Sequence, residues 1–252
     1  MTTKIDDFFL LSNSVANITD SDYESIVPVL NAVKAFAQCT HQCVYVIDYF
    51  REGFAYVSDN LAFLCGQPAE RIKDFGYQLY IEHVPADELE MLKEINKKGF
   101  DLFNEFPITE KMEYSITYDF HLVNGRKSNL ISHRITPLVL NKESRIWLAL
   151  CTVQLSARKK PGRIIMKKEK SKTFYAYDLN KHKWNLEESI TLSERERSII
   201  GLSVQGYTMN EIAEKLCKSV DTIKACKRAM FAKMEVSNMT EALSFAINYR
   251  LL

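Results

Sequence analysis

The C-terminal part of the chain carries the clearest pattern of hydrophobic and polar positions. From Ile190 onward, apolar residues recur every three or four positions, which is the spacing of one face of an α-helix. Polar residues and a glycine interrupt the pattern at points where helices begin or end. The pattern therefore predicts four short helices, over about 193–204, 208–216, 219–234 and 239–249.

The interruptions indicate how these helices are bounded. Gly206 ends the first segment, and Thr208 can cap the second. Ser219 stands at an N-cap position with Asp221 in the first turn, where the helix dipole favours a carboxylate. The connection between the second and third helices ends at Ser219 and is only about three residues long, which is typical of a helix-turn-helix.

The third predicted helix has two different faces. One face is an inward stripe in which apolar or small residues recur at spacings of three, four and four. Basic side chains on the other face, near the start of a capped helix, can read the major groove of DNA and neutralise phosphates. An ordinary solvated helix face is the alternative. The stripe consists of Ile223, Cys226, Met230 and Met234, and the residues off the stripe include Lys224, Ala225, Lys227 and Arg228.

The first 156 residues alternate between helix-like and strand-like segments. An amphipathic helix is predicted over 21–38, with Pro28 tolerated in an early turn. Asn124-Gly125 is typical of a tight hairpin turn between two strands. The remaining predictions are strands over 43–50, 54–57, 114–123, 127–140 and 145–155, and short helices over 58–65, 68–73 and 86–98, the last of them ending before Gly99.

Residues 38–156 resemble the PAS fold, because two strands, several short helices and a three-stranded meander follow one another there. The most characteristic segment is FAYVSDNLAFLCGQPAERI, residues 54–72. The segment from His83 to Asp87 resembles the His-Pro-Asp-Asp element that follows it in PAS sequences. The resemblance implies an antiparallel sheet with helices packed on one face. It also implies a domain that holds a small ligand or cofactor, or that pairs with another such domain.

The sequence leaves the cofactor of this PAS-like domain unknown. Cys39, His41 and Cys43 could supply three metal ligands, but a fourth is not evident and ordinary packing is the alternative, so no metal site is predicted. Lone histidines could reach a haem or be purely structural, and aromatic residues could line a pocket or simply fill a core. The histidines are His83, His121 and His133, and the aromatic residues are Tyr45, Tyr49, Phe54, Tyr56, Phe63, Phe75, Tyr77 and Phe120.

The distribution of charge adds a further division of the chain. Net charge is −7 over residues 1–156, +6 over 157–188 and +2 over 189–252, which together give +1. Basic charge thus lies toward the C-terminal end, as a polyanionic partner requires. We predict an α+β protein of 252 residues in four parts. These are an N-terminal helical segment (1–37), a PAS-like sensor domain (38–156), a basic linker with a short hairpin (157–188) and a four-helix helix-turn-helix domain (189–252).

Cysteine usage and the N-terminus bear on the compartment. Six cysteines show no C-x-x-C spacing, and a chain of this length needs no covalent staples, so we expect reduced thiols and no disulfide framework. The N-terminal residues carry Asp6 and Asp7 without a basic leader, and no apolar run is long enough to cross a membrane. We therefore expect a cytoplasmic protein without membrane attachment.

The C-terminal helices carry a second and longer resemblance. The segment from Leu192 to Leu243 closely resembles the LuxR-type helix-turn-helix of bacterial regulators, nearly from end to end. A match of this length is far more specific than a single short motif. The matching positions include Leu192, Arg195, Glu196, Gly206, Glu211, Ile212, Ala213, Leu216, Ser219, Thr222, Lys224, Lys233, Val236 and Ala242.

The LuxR resemblance implies that the helix beginning at Ser219 is the recognition helix. Its base-contacting positions are occupied by Lys224, Ala225 and Arg228, and its phosphate-contacting positions by Thr222 and Lys227. The last helix, about 239–249, matches the one through which such domains often dimerise, with a plain core role as the alternative. The full predicted DNA-binding set is Ser219, Thr222, Lys224, Ala225, Lys227, Arg228 and Lys233.

Three positions depart from the LuxR pattern. Cys226 stands where the family usually has histidine, Ser198 where glutamate is frequent, and Glu235 where glycine often ends the recognition helix. Because Cys226 falls on the inward stripe, we expect altered packing there rather than lost binding. A redox role for Cys226 would require an exposed, electropositive setting.

Together these patterns predict a sequence-specific DNA-binding transcription regulator, modulated through its PAS-like sensory or dimerisation domain. The alternatives are a sigma-like factor that depends on RNA polymerase and a protein-interaction module. No nucleophile–base pair, phosphate loop or complete metal-ligand set stands out, so no catalytic site and no enzyme activity are predicted. The expected partners are double-stranded DNA and a second copy of the chain. RNA polymerase and a small molecule in the PAS-like domain are further candidates.

Overall fold

The chain forms two compact units of α+β and α structure. The computed structural model describes residues 4–60, 63–249 and 251–252. The first unit is Met1–Glu187 and the second is Glu188–Leu252. The expected α+β fold class is therefore confirmed, with strands confined to the first unit and its boundary with the second.

A single eight-stranded sheet organises the first unit, in the order β2-β1-β5-β4-β3-β6-β7-β8. The pairs from β2 through to β7 are antiparallel. The long meander β3–β4–β5 lies within two residues of its predicted bounds. The strands are β1 (Cys43–Asp48), β2 (Gly53–Val57), β3 (Tyr114–Asn124), β4 (Lys127–Leu140), β5 (Ile146–Leu155), β6 (Ile164–Lys168), β7 (Thr173–Asp178) and β8 (Lys183–Glu188).

Helices cover both faces of this sheet. On one face, Ile26 and Val33 of the N-terminal helices pack against Val44 and Val46 of β1. On the other face, alternate residues of β1 such as Tyr45 pack into the larger core. Burial on both faces explains why β1 is a continuous apolar run rather than an alternating one. The helices are α1 (Asp20–Ser25), α2 (Val27–Cys39), α3 (Ala69–Phe75), α4 (Gln78–His83) and α5 (Ala86–Glu105).

Two local helix predictions were wrong. Helix α5 continues through Gly99 to Glu105 instead of ending at residue 98. Gly99 serves close packing, because a Cβ atom built there would lie 3.1 Å from Cδ1 of Ile116 on β3. The predicted helix over 58–65 falls partly outside the described residues, at 61 and 62; residues 58–60 have no regular secondary structure, and 63–65 form turns and a bend. The left-handed backbone of Cys65 (φ 49°) is incompatible with a helix there.

The segment expected to be a basic linker contains three strands of the sheet. Residues Ile165 and Met166 of β6 pair with Thr117 and Ile116 of β3 and are buried, so β6 is a part of the core. The expected hairpin lies between β7 and β8, where Asp178 accepts hydrogen bonds from the backbone N–H groups of the next turn. Short apolar runs between lysines gave little local signal for a strand whose partner lies some fifty residues earlier.

The second unit contains the four predicted helices. They are α6 (Glu194–Val204), α7 (Met209–Lys215), α8 (Val220–Met234) and α9 (Met239–Asn248). Ser193 and Thr208 cap α6 and α7 in reciprocal capping boxes with Glu196 and Glu211. No helix in the described part of the chain is both long and apolar enough to cross a membrane.

Candidate nucleic-acid interface

The turn between α7 and α8 fixes the start of the candidate recognition helix. Cys217 adopts a left-handed conformation (φ 50°), and the N–H groups of Cys217 and Lys218 donate to Glu214 and Ala213 carbonyls at 3.0 and 2.9 Å. These bonds satisfy the last carbonyls of α7. Ser219 then caps α8 by accepting a 3.2 Å hydrogen bond from the N–H of Thr222. The compact turn is the connection that a helix-turn-helix requires.

Helix α8 is amphipathic as its spacing predicted. Ile223, Met230 and Met234 are fully buried, and Cys226 is partly buried between them. Ile223 packs with α6 and α7 side chains, whereas Met230 and Met234 pack with residues of α9. The two apolar clusters therefore hold the same face of α8 near its start and near its end, and they fix which face points outward.

The outward face of α8 carries most of the predicted DNA-binding residues. Lys224, Ala225 and Arg228 are exposed, and Thr222 and Lys227 are partly exposed. The Lys224 ammonium lies 3.6 Å from the Asp221 carboxylate, but both side chains are exposed and so the pair contributes little to stability. The arrangement offers cationic donors beside the positive end of the helix dipole, which is a favourable setting for phosphate oxygens.

Lys233 is a predicted site residue that bonds to residues outside its own helix. Its ammonium donates hydrogen bonds to the Thr191 carbonyl and, at 3.3 Å, to Oε2 of Glu196. Burial opposes ionisation of Glu196, but hydrogen bonds from Ser193 and Lys233 outweigh it and hold the pKa of Glu196 below its ordinary value. Lys233 thus ties the end of α8 to the start of α6.

We expect the Lys233→Met variant to unfold more easily, with the free energy of unfolding lowered by about 1 kcal/mol, since Glu196 loses one hydrogen-bond partner and keeps those at Ser193. Urea unfolding followed by circular dichroism at 222 nm measures the change. Lys227→Met removes a lysine of the same helix that has no such partner, and it should leave stability nearly unchanged. Equal stability of Lys233→Met and the parent chain would contradict the proposed tie.

The structure shows the surroundings of two residues that depart from the LuxR pattern, Cys226 and Glu235. Burial, and next the nearby Glu196 carboxylate, raise the pKa of the Cys226 thiol, so this thiol remains protonated at neutral pH. That setting favours the packing role over the redox one. Glu235 follows α8 in a left-handed conformation (φ 56°), which is the conformation glycine adopts most readily.

The structure gives other settings to the cysteines and histidines that the sequence offered as metal or haem ligands. No group of three or more histidine, cysteine or acidic side chains that could hold a metal lies among the described residues. Cys39 is exposed while Cys43 is buried, and burial raises the pKa of the Cys43 thiol to about 12. His83 is hydrogen-bonded to the Val123 carbonyl at 2.8 Å, and His121 to Glu88 at 2.7 Å.

His133 occupies a buried polar cluster that the sequence pattern did not reveal. Its Nε2 is hydrogen-bonded to the hydroxyl of Tyr45, which is also bonded to the hydroxyl of Tyr80. The other ring nitrogen, Nδ1, is buried without a hydrogen-bond partner. Burial lowers the pKa of His133 to about 3 and raises the pKa of Tyr45 and Tyr80 well above its ordinary value, so the cluster is uncharged at neutral pH.

One small cavity adjoins this cluster, and a second shares part of its lining. One has a volume of about 50 Å³ and the other, lined in part by His133, about 20 Å³. For comparison, a cavity needs a volume of roughly 10–15 Å³ to hold one buried water. Tyr49, Asn96, Tyr118 and Ile135 line both cavities, and no charged side chain lines either of them. Tyr118 and Asn96 were absent from the aromatic and polar candidates chosen by sequence, because they belong to β3 and α5 and meet only in the fold.

Comparison with known proteins places the C-terminal unit in a family. Residues 190–246 match the GerE family, described as bacterial regulatory proteins of the luxR family. These residues therefore form a LuxR-type helix-turn-helix domain. The family consists of regulatory proteins, and the resemblance drawn from the sequence is confirmed for this domain.

Two curated relatives match about a quarter of the chain. The transcriptional activator protein BglJ of Escherichia coli K12 is 38% identical over 63 residues, which cover 25% of this chain and 28% of BglJ. The oxygen regulatory protein NreC of Staphylococcus haemolyticus is 38% identical over 61 residues, covering 24% of this chain and 28% of NreC. The chain thus spans little more than a quarter of the length of these relatives.

One comparison with a solved structure extends over most of the chain. The phage VqmA–DPO complex covers 93% of this chain and 93% of its own, at 14% sequence identity and a TM-score of 0.34.

Proposed function

We propose that this protein is a sequence-specific, DNA-binding transcription regulator. The observation that carries the proposal is the outward face of α8, where Lys224, Ala225 and Arg228 are exposed at the start of a capped helix in a LuxR-type domain. Such a helix fits the major groove, where lysine and arginine recognise guanine edges. Both curated relatives named above are regulatory proteins, although their matches cover only about a quarter of the chain.

The proposed contacts divide into two kinds. Lys224, Ala225 and Arg228 face base edges, while Ser219, Thr222 and Lys227 approach phosphates around the helix N-terminus. Lys233 completes the set, and its bonds to Glu196 and Thr191 suggest that it acts mainly by holding α8 in place.

The first unit is proposed to control this activity as a sensor. Two of its cavities are lined by aliphatic, aromatic and neutral polar side chains, and His133, whose Nδ1 has no hydrogen-bond partner, lines one of them. A small uncharged molecule fits this lining, because burying a charge there without a charged partner would be costly. Binding to one arrangement of the protein better than to another would shift the DNA-binding equilibrium.

We further propose that the regulator works in the cytoplasm as a homodimer on two half-sites and contacts RNA polymerase at its promoters. Polymerase-dependent binding, as in a sigma-like factor, is the nearest alternative within the DNA-binding class. An interaction module without DNA binding is the alternative from another class, and it predicts binding that is insensitive to salt and to charge reversal at Lys224.

Selection from a random duplex library with the full chain tests the proposal. We expect one enriched motif whose affinity falls steeply with salt, because bound phosphates release counterions. If nothing is enriched, the selection is repeated with the small-molecule fraction of a bacterial culture and then with RNA polymerase. Enrichment under neither condition would contradict a DNA-binding role.

A further inference from the structure

Strand β8 is an edge strand of the sheet in the first unit. It is the last strand in the sheet order, with β7 as its only neighbouring strand among the described residues. At the opposite edge, by contrast, α3 packs against β2. An open edge presents unpaired backbone N–H and C=O groups and is a ready template for another strand. Leu186 lies in the middle of β8 with 64% of its surface exposed.

The six residues of β8 read Lys-Trp-Asn-Leu-Glu-Glu and are complementary to themselves when the direction is reversed. A two-fold axis at Asn185 would place Lys183 of one copy opposite Glu187 of the other. It would also place Trp184 opposite Leu186. Both pairs are of the kinds that stabilise antiparallel strands, namely opposite charges and aromatic–aliphatic contacts. A slip by one residue would instead set Trp184 opposite Glu187 or opposite Asn185, depending on its direction, so the sequence favours one register.

We propose that β8 pairs antiparallel with β8 of a second copy of this chain and so forms the dimer seam. The indole of Trp184 is already fixed, because its N–H donates a 3.2 Å hydrogen bond to the Lys98 carbonyl. Arg163 lies 3.2 Å from Glu187, and this leaves the Glu187 carboxylate as an acceptor shared between Arg163 and the second copy's Lys183. The exposed Leu186 side chain would be covered by the second copy's Trp184.

This seam rests on the proposed function, which requires two DNA-binding units on one duplex. Strand β8 ends at Glu188, where the second unit of the chain begins. With the axis at Asn185, the two copies of Glu188 lie six strand positions apart, or roughly 20 Å. Dimeric helix-turn-helix proteins bind half-sites about 34 Å apart. With this pairing, the DNA-binding units of both copies would follow directly from one symmetric pair of β8 strands.

A charge swap in the full chain tests the seam by sedimentation equilibrium. Lys183→Glu places like charges opposite each other twice per dimer, and we expect the dissociation constant of the dimer to rise roughly tenfold or more. The double variant Lys183→Glu, Glu187→Lys restores opposite charges between copies but loses the Arg163–Glu187 ion pair within each copy, so we expect it to recover part of the lost affinity. Recovery of this kind requires the two positions to face each other across the seam.

A second pair of variants tests the apolar contact. Leu186→Lys should weaken the dimer, whereas Leu155→Lys changes a residue of similar exposure (62%) at the end of β5 and should not. Circular dichroism checks that each variant is folded. A dimer unaffected by both Lys183→Glu and Leu186→Lys, or a chain that is monomeric both free and on a duplex with two half-sites, would overturn the inference.

The same variants separate this inference from the proposed function. If the seam is elsewhere, for example on α9 where Ile247 is 54% exposed, the library selection still yields a motif while the β8 variants dimerise normally. If the protein does not bind DNA at all, the selection fails although the charge swap still breaks and restores the dimer.

Discussion

Replacing both Lys224 and Arg228 by alanine is expected to lower the affinity for the selected duplex by roughly 30-fold or more. Each good contact to a base edge contributes about 1–3 kcal/mol of discrimination, and both side chains are exposed on the outward face of α8. The fold of the domain should survive, since neither residue packs into the apolar clusters. Fluorescence anisotropy with the selected duplex, at several salt concentrations, measures the loss.

The control for this double variant removes the same charge elsewhere. Lys34 and Lys73 are exposed in the first unit, so Lys34→Ala, Lys73→Ala changes the net charge equally without touching α8. We expect that variant to bind nearly as the parent chain does. Equal losses in the two double variants would mean that the effect is one of overall charge, and the assignment of α8 as the recognition helix would then fail.

Lys227 distinguishes the two proposed kinds of contact on the same helix. A phosphate contact carries no sequence information, so Lys227→Ala should lower the affinity for selected and unrelated duplexes about equally. It should also reduce the slope of log affinity against log salt concentration by roughly one, because one counterion fewer is released. The Lys224, Arg228 pair should instead reduce the preference for the selected sequence. Residues within about one turn of α8 are therefore expected to differ in what they contact, with Lys224 and Arg228 at bases and Lys227 at a phosphate.

The parts of this site that could be predicted from sequence are those encoded locally. The cap at Ser219, the stripe from Ile223 to Met234 and the short turn before α8 all depend on neighbours within a few residues. Local signals of this kind are read directly from residue spacing and capping chemistry. The identity of Lys233 as a structural tie was not predictable, because Glu196 precedes it by 37 residues.

Long-range pairing limited the prediction of the first unit. Strand β6 has only three apolar residues, Ile164 to Met166, within a basic segment, and its status depends on pairing with β3. Gly99 gave the local signal of a helix end, yet the close approach of Ile116 from β3 decided its role. The sequence pattern thus located the meander well, while the extension of the sheet and the buried cluster around His133 depended on contacts between distant elements.

The first unit is expected to lose stability as the pH falls below about 6.5, and His133 should account for a distinct part of the loss. In the unfolded chain its imidazole takes up a proton near its ordinary pKa of 6.5, whereas burial lowers the pKa in the folded protein to about 3. Between these values only the unfolded state binds the proton, so protonation favours unfolding by up to about 1.4 kcal/mol per pH unit. Above pH 6.5 both states are neutral at this residue and the contribution vanishes.

Urea unfolding between pH 7 and pH 4, followed by tryptophan fluorescence, isolates this contribution when the parent chain is compared with His133→Gln. Carboxylates protonate in both proteins, so any difference in how steeply their free energies of unfolding fall with pH is due to His133. The free energy of unfolding of the variant should fall less steeply. His41→Gln changes an exposed histidine and should keep the parent slope. Identical slopes for all three proteins would mean that the folded state accepts the proton on His133. The cluster would then admit charge, and the argument that its occupant is an uncharged molecule would fail with it.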